Sequence, residues 1–238
     1  MNIKYTDLGN INVPVPETLS KGNSNKPKYV DEITRVNEIL CNMVKNSLLR
    51  GNMPLVLGGD HSIGTGTLMG VQCAYRNIGV LWIDAHGDFN TEETTPTGNL
   101  HGMSLAAAAG VGMPEMTRFK PKDVPYIDPK KIVIIGARSL DYGEARLLKQ
   151  TGVNVFTIED IDMYGLRSIM QKALSIVEEG TNGFHLSFDM DVVSPTDAPG
   201  VGTPVKGGIT YREAHLAAEI VSTSPKLLSM EFVEVNPI

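Results

Sequence analysis

The chain has 238 residues, a formal net charge of -6, 42% apolar and 20% charged residues. This is the make-up of an ordinary globular protein long enough for one substantial domain, and it lacks the basic stripe that nucleic-acid binding needs. The mild acidity is compatible with a cationic substrate. Two cysteines, Cys41 and Cys73, are too few for a disulfide-stapled secreted scaffold and are expected as reduced thiols on helices. Met1 to Tyr5 lacks the apolar core of a signal peptide, and no stretch approaches the ~18 uninterrupted apolar residues of a membrane span. A cytoplasmic protein with no membrane partner is expected.

After a Gly/Pro/Asn-rich opening from Gly9 to Pro27, Val30, Ile33, Val36, Ile39, Leu40, Met43, Val44 and Leu48 recur at spacings of three and four. That spacing predicts an amphipathic helix. Short apolar runs follow at Leu55–Leu57, Val80–Ile83, Ile132–Ile135 and Val153–Phe156. A second helix carries Leu166, Ile169, Met170, Ala173, Ile176 and Val177, and further strands are expected at Phe184–Phe188 and Leu227–Val233. Apolar runs without clean alternation suit strands covered on both faces. The fold class read from this order is α/β: an open, mostly parallel sheet with helices on both faces, in one domain over residues 1–238.

Strand after strand ends in polar residues: Asp60-His61, Asp84 to Asp88, Arg138-Ser139, Asp189 to Asp191 and Glu231 to Glu234. In an open parallel sheet the carboxyl ends of the strands share one edge, where ligands bind. Asp84, His86 and Asp88 are spaced by two, so on an extended backbone they point the same way at ~6.6 Å intervals. Asp189 and Asp191 repeat the device, and His61 completes six candidate metal ligands. Four carboxylates would balance two divalent cations, which typically stand ~3.5–4 Å apart when bridged. An oxygen-rich set with imidazole and no thiolate suits manganese, with zinc, cobalt, nickel and iron left open. His185, within a strand, and His215, on a helix, lack such company and are read as structural.

The segments Gly58-Gly59-Asp60-His61-Ser62, Asp84 to Asn90, Gly98 to Gly102, Ser187 to Asp191, Gly202-Thr203-Pro204 and Glu231 to Pro237 together resemble the ureohydrolase family, and within it the arginases. The likeness runs from about Pro54 to the last residue. It implies an arginase-like three-layer fold and a hydrolase using two Mn2+ per subunit. By resemblance, His61, Asp84, Asp88 and Asp189 hold one ion and His86, Asp84, Asp189 and Asp191 the other, with Asp84 and Asp189 bridging. The implied reaction cleaves the guanidinium group of L-arginine to L-ornithine and urea by a metal-bridging hydroxide.

The same resemblance gives Asp88 the role of aiming the hydroxide, Glu234 that of pairing with the guanidinium, and His101 that of proton shuttle. Asn90 and Thr97 are expected to bind the α-carboxylate, Asp141 the α-amino group, and Glu144 and Thr203 to belong to the substrate-binding set, with Glu144 and Arg138 supporting the Asp141 loop. A homo-oligomer, trimer or hexamer, is implied as well. An agmatinase-like or other guanidino-hydrolase and a truncated, non-catalytic metal-binding homologue remain alternatives. Three departures from the family pattern are noted. Ser194 precedes Pro195 where aspartate is usual; the opening strand has no counterpart, so a gap or re-pairing within the sheet is expected; and the chain stops before the usual final helix.

Overall fold

A computed structural model describes residues 4–14, 27–118 and 120–236. Pro237 of the last motif lies outside the described residues. In chain order the elements are α1 (Val30–Leu49), β1 (Leu55–Leu57), α2 (Gly64–Tyr75), β2 (Gly79–Ile83), α3 (Ser104–Ala108), α4 (Pro114–Thr117), β3 (Ile132–Ala137), α5 (Tyr142–Thr151), β4 (Asn154–Thr157), α6 (Ile158–Tyr164), α7 (Leu166–Glu178), β5 (Phe184–Asp189), α8 (Tyr211–Ser222) and β6 (Leu227–Val233).

The six strands form one sheet in the order β1-β6-β5-β2-β3-β4, and every neighbouring pair is parallel. Alternation along the strands feeds two cores. Val80 and Trp82 of β2, with Ile132 and Ile134 of β3, pack under Leu40, Val44, Leu68, Leu105 and Leu148. Leu81, Ile83, Val133 and Ile135 face the other way, onto Ile169, Met170, Ala173, Val177 and Ala217. A sheet buried on both faces between two helical layers is the three-layer architecture expected from the uninterrupted apolar runs.

Three expectations are corrected here. The gap expected inside the sheet is not found among the described strands, which pair without interruption. β1 is instead an edge strand, and Leu55 and Leu57 are 55% and 76% exposed rather than covered on both faces. The stripe on α1 is also rotated from the predicted one: Ile39 is exposed, while Asn37 and Cys41 join Val30, Val36, Leu40, Val44 and Leu48 on the buried side. Asn37 is tolerated there because its Nδ2 donates to the Ser62 carbonyl at 2.9 Å, so the buried amide donor is satisfied.

Candidate active site and metal centre

Parallel pairing places the carboxyl ends of β1, β6, β5 and β2 side by side, and each carries part of one cluster. His61 opens the short 3-10 turn His61–Ile63 after β1, Asp84 follows β2, Asp189 ends β5, and Glu234 follows β6. The His61 Nδ1 atom lies 2.9 Å from Asp88 Oδ2, 3.0 Å from Asp189 Oδ2 and 3.1 Å from Asp84 Oδ2. His86 Nδ1 lies 3.0 Å from Asp191 Oδ2 and 3.5 Å from Asp84 Oδ1. Neighbouring ligands of an octahedral ion held at ~2.1 Å stand ~3 Å apart, so these separations fit cations held between the groups.

Two ligand groups are present among the described residues, His61-Asp84-Asp88 and Asp84-His86-Asp191, and Asp84 belongs to both. Asp189 meets the first group directly through Oδ2, while its Oδ1 accepts the Asp191 backbone N–H at 2.7 Å.

The electrostatics call for positive charge. Burial opposes ionisation of His61, yet its hydrogen bonds with Asp189, Asp84 and Asp88 raise it well above the ordinary imidazole value. Burial likewise opposes a charged His86, and Asp191 and Asp84 outweigh it to lift His86 to about 11. Asp84, although buried, is held well below the carboxylate range by hydrogen bonds with both imidazoles. Burial, then the charge of Asp84, pushes Asp88 to about 8 and Asp189 well above its ordinary value. With both imidazoles and two of the four carboxyls raised, the cluster holds as protons the positive charge that cations bound there would supply. The donor set, oxygen-rich with two imidazoles, fits manganese or a metal of similar preference.

The cluster is held rigidly from behind. His61 stacks on Trp82 with centroids 3.9 Å apart and planes 5° apart, and Trp82 Nε1 donates to Asp84 Oδ2 at 2.9 Å. His61 Nε2 meets Ser187 Oγ at 2.7 Å, and Ser187 Oγ donates to Glu231 Oε1 at 2.7 Å. His185 Nε2 lies 3.4 Å from the same Glu231 oxygen, with Nδ1 2.7 Å from Ser229 Oγ. This arrangement orients the imidazole of a candidate metal ligand through its distal nitrogen. Asp88 and Glu234 both occupy left-handed backbone, at φ 48° and 63°, a conformation rare outside glycine and asparagine and often found at functional positions.

The residues expected to contact substrate lie on the loops that follow β1, β2, β3 and β6. Glu234 Oε1 accepts the His61 backbone N–H at 2.8 Å. His101 Nδ1 lies 4.0 Å from Asp60 Oδ2, with about a third of its side chain exposed. Asn90 Nδ2 donates to Asp141 Oδ2 at 2.9 Å, and Asn90 Oδ1 accepts from Thr94. Thr97 lies exposed in the same loop, where its hydroxyl accepts the Asn99 N–H.

The whole chain, residues 1–238, matches the family described as Arginase family. The chain belongs to the arginase family of hydrolases. It is 47% identical to an arginase of Brevibacillus brevis over 238 residues, covering 100% of this chain and 79% of that one. An arginase of Bacillus caldovelox is 46% identical over 232 residues, 98% of this chain and 77% of the relative. The solved native structure of the Bacillus caldovelox arginase superposes with a TM-score of 0.92 at 46% identity, covering 97% of this chain and 77% of that chain.

Three further side chains, Glu144, Arg138 and Thr203, brace the loops around the cluster, and one of them departs from expectation. Glu144 is turned inward: Oε1 accepts the Phe89 N–H at 2.9 Å and Oε2 the Asp141 N–H at 3.3 Å. It ties the Phe89 and Asp141 loops together, since Asp141 caps α5 and Glu144 completes the capping box. Arg138 does not support the Asp141 loop. Its guanidinium donates to the carbonyls of Asp191, Val192 and Val205 at 2.7, 3.1 and 2.8 Å. Thr203 Oγ1 donates to Asp191 Oδ2 at 3.0 Å, which ties it to a candidate metal-ligand carboxylate. Ser194 uses its hydroxyl on Thr196, so the Asp191 segment is steadied by Arg138 and Thr203.

Sequence reasoning passed over Trp82, Ser187 and Glu231, and read His185 as structural. The signal was a pair of strands with polar residues at period two: His185 and Ser187 on β5 stand opposite Ser229 and Glu231 on β6, with Asp189 two residues further along β5. Polar groups on the buried face of an interior strand require partners. No described helix is long and apolar enough to cross a membrane.

Proposed function

We propose that this chain hydrolyses the guanidinium group of L-arginine to L-ornithine and urea, with two manganese ions held by His61, Asp84, His86, Asp88, Asp189 and Asp191. The observation that carries the reading is the convergence of two imidazoles and three further carboxylates, Asp88, Asp189 and Asp191, on Asp84, which is shared between both ligand groups. When bound, such a metal pair supplies a hydroxide-like nucleophile near neutral pH for a delocalised, weakly electrophilic carbon.

The chain's own groups do the rest. Glu234 lies beside the cluster with one oxygen fixed by the His61 N–H, leaving Oε2 to pair with the guanidinium and hold its carbon near the attacking oxygen. Asp88 accepts a hydrogen bond from the attacking water and aims it. Collapse of the tetrahedral adduct breaks the C–N bond to the ornithine amine. His101, partly exposed at the rim, delivers the proton that amine needs. Asn90 and Thr97 bind the α-carboxylate, and Asp141 the α-amino group. The Asn90-Asp141 hydrogen bond couples the two halves of that recognition. A cytoplasmic homo-oligomer, trimer or hexamer, belongs to the same reading.

The test is urea release from arginine, agmatine and 4-guanidinobutyrate, combined with elemental analysis of the manganese-loaded protein. Arginine is expected to be preferred, with two ions per chain. Equal turnover of agmatine removes the substrate assignment, a single ion removes the paired-metal assignment, and no turnover in the loaded protein favours a non-catalytic homologue.

A further inference from the structure

Away from this cluster, α1 and α2 cross with their backbones in contact. A Cβ added at Gly66 would stand 2.8 Å from the Asn37 carbonyl oxygen, and one at Gly70 would stand 2.8 Å from the Cys41 carbonyl oxygen. Glycines one turn apart therefore permit a close approach that any larger residue would prevent. Three residues beyond Gly70, on the same face of α2, comes Cys73. Its side chain packs against the buried core cluster that contains Cys41. Both cysteines line a cavity of about 300 Å³ together with Glu38, Lys45 and Lys120. Cys41 is buried and Cys73 half-buried.

We propose that Cys41 and Cys73 form a hydroperoxide-reactive dithiol that closes into an intrachain disulfide pinning α1 to α2. A disulfide needs its Cα atoms ~4.4–6.8 Å apart, and the close backbone approach at Gly66 and Gly70 brings the two helices nearer than larger residues there would allow. The two sulfurs differ in a way that assigns their roles. The interaction with Cys41, then Lys45 and Lys120, lowers the Cys73 thiol against the effect of burial. The same interaction and its burial raise Cys41. Cys73 is thus the partly accessible thiolate and Cys41 the resolving thiol.

In the first step the Cys73 thiolate attacks one oxygen of the hydroperoxide. The S–O bond forms, the O–O bond breaks, and the departing oxygen takes a proton as water or alcohol. In the second, the Cys41 sulfur gives up its proton and attacks the Cys73 sulfenic acid. The S–S bond forms, the S–O bond breaks, and hydroxide leaves as water. Two thiols are oxidised and one peroxide is reduced. The cross-link would lock the two helices that flank the His61 turn, since α2 starts at Gly64 and Asn37 of α1 holds the Ser62 carbonyl.

The experiment treats the manganese-loaded protein with a small excess of hydrogen peroxide, blocks residual thiols by alkylation, and maps peptides without reduction. The expected result is a Cys41–Cys73 linkage within one chain and an intact mass lower by two hydrogens, reversed by dithiothreitol. Closing a loop of this length raises the melting temperature by roughly 5–10 °C. Cys41→Ser leaves a sulfenic acid on Cys73 that a cyclic diketone captures, and Cys73→Ser leaves Cys41 unoxidised. If a variant does not fold, the wild-type map decides alone. Both thiols recovered alkylated after a dose that fully oxidises free glutathione overturns the proposal, as do linkage only between chains and sulfinic acid without linkage. None of these outcomes depends on the substrate hydrolysed.

Discussion

The backbone N–H of His61 donates to Glu234 Oε1 at 2.8 Å, joining residues 173 positions apart in sequence. Neighbouring parallel strands make the contact: β1 and β6 pair in register from Leu55 opposite Met230 to Leu57 opposite Phe232, so the turns that follow them meet. The bond fixes a half-buried carboxylate beside the metal-ligand cluster, in left-handed backbone. Its position is set before any substrate arrives.

Glu234→Gln keeps an oxygen to accept that N–H and removes the charge. Urea release from arginine is expected to fall about 100-fold or more in kcat/KM, because a charge-assisted contact that positions the reacting carbon is lost. Metal content should be unchanged. Wild-type turnover by the variant would refute the guanidinium-pairing role.

Asp84 lies in both ligand groups and Asp191 in one. Elemental analysis should therefore find Asp84→Ala depleted of both ions and Asp191→Ala depleted chiefly of one. Loading should also release protons, because His61 and His86 are raised by their carboxylates and must be neutral to ligate. Affinity is expected to weaken as pH falls, read by calorimetry in buffers of different ionisation enthalpy. Pair depletion by Asp191→Ala with Asp84→Ala intact would reverse the assignment.

Burial holds the Glu144 carboxyl at about 7, above its ordinary 4.5, against the hydrogen bonds from Phe89 and Asp141. A raised carboxyl means that the native chain binds more protons than the unfolded one between those values. Its contribution therefore falls as pH rises from 4.5 to 7 and levels off above. The loss amounts to about 3 kcal/mol. Urea denaturation of chelator-treated wild type and Glu144→Gln across pH 4.5–8 isolates it, since the other groups titrate alike in both. Parallel stability curves for the two proteins would contradict this.

A Cβ on Gly79 would stand 2.2 Å from the Val177 carbonyl oxygen. Gly79→Ala must push β2 away from α7, and overpacking of this kind costs about 3 kcal/mol. Equilibrium unfolding should show the loss with an unchanged denaturant slope. A cost below about 1 kcal/mol would mean that α7 can move aside.

The convergence of the candidate ligands was legible because metal ligation demands particular side chains at particular spacings. Asp84, His86 and Asp88 at period two after an apolar strand, Asp189 and Asp191 after another, and His61 after a third announce a shared site in one dimension. The two helical layers were legible for the similar reason that burial on one face imposes a period, as at Leu166 to Val177. Spacing has no means of saying which strand stands beside which. The order β1-β6-β5-β2 brings His61, Glu234, Asp189 and Asp84 to adjacent strand ends, and only long-range pairing decided it. Tertiary packing also turned Glu144 inward, sent Arg138 to the Asp191 segment, exposed Leu57 at a sheet edge and set Cys41 against Cys73. Each of those outcomes depends on what a neighbour remote in sequence offers, a hydrogen-bond acceptor, a free edge or a missing Cβ, and no local pattern carries that information.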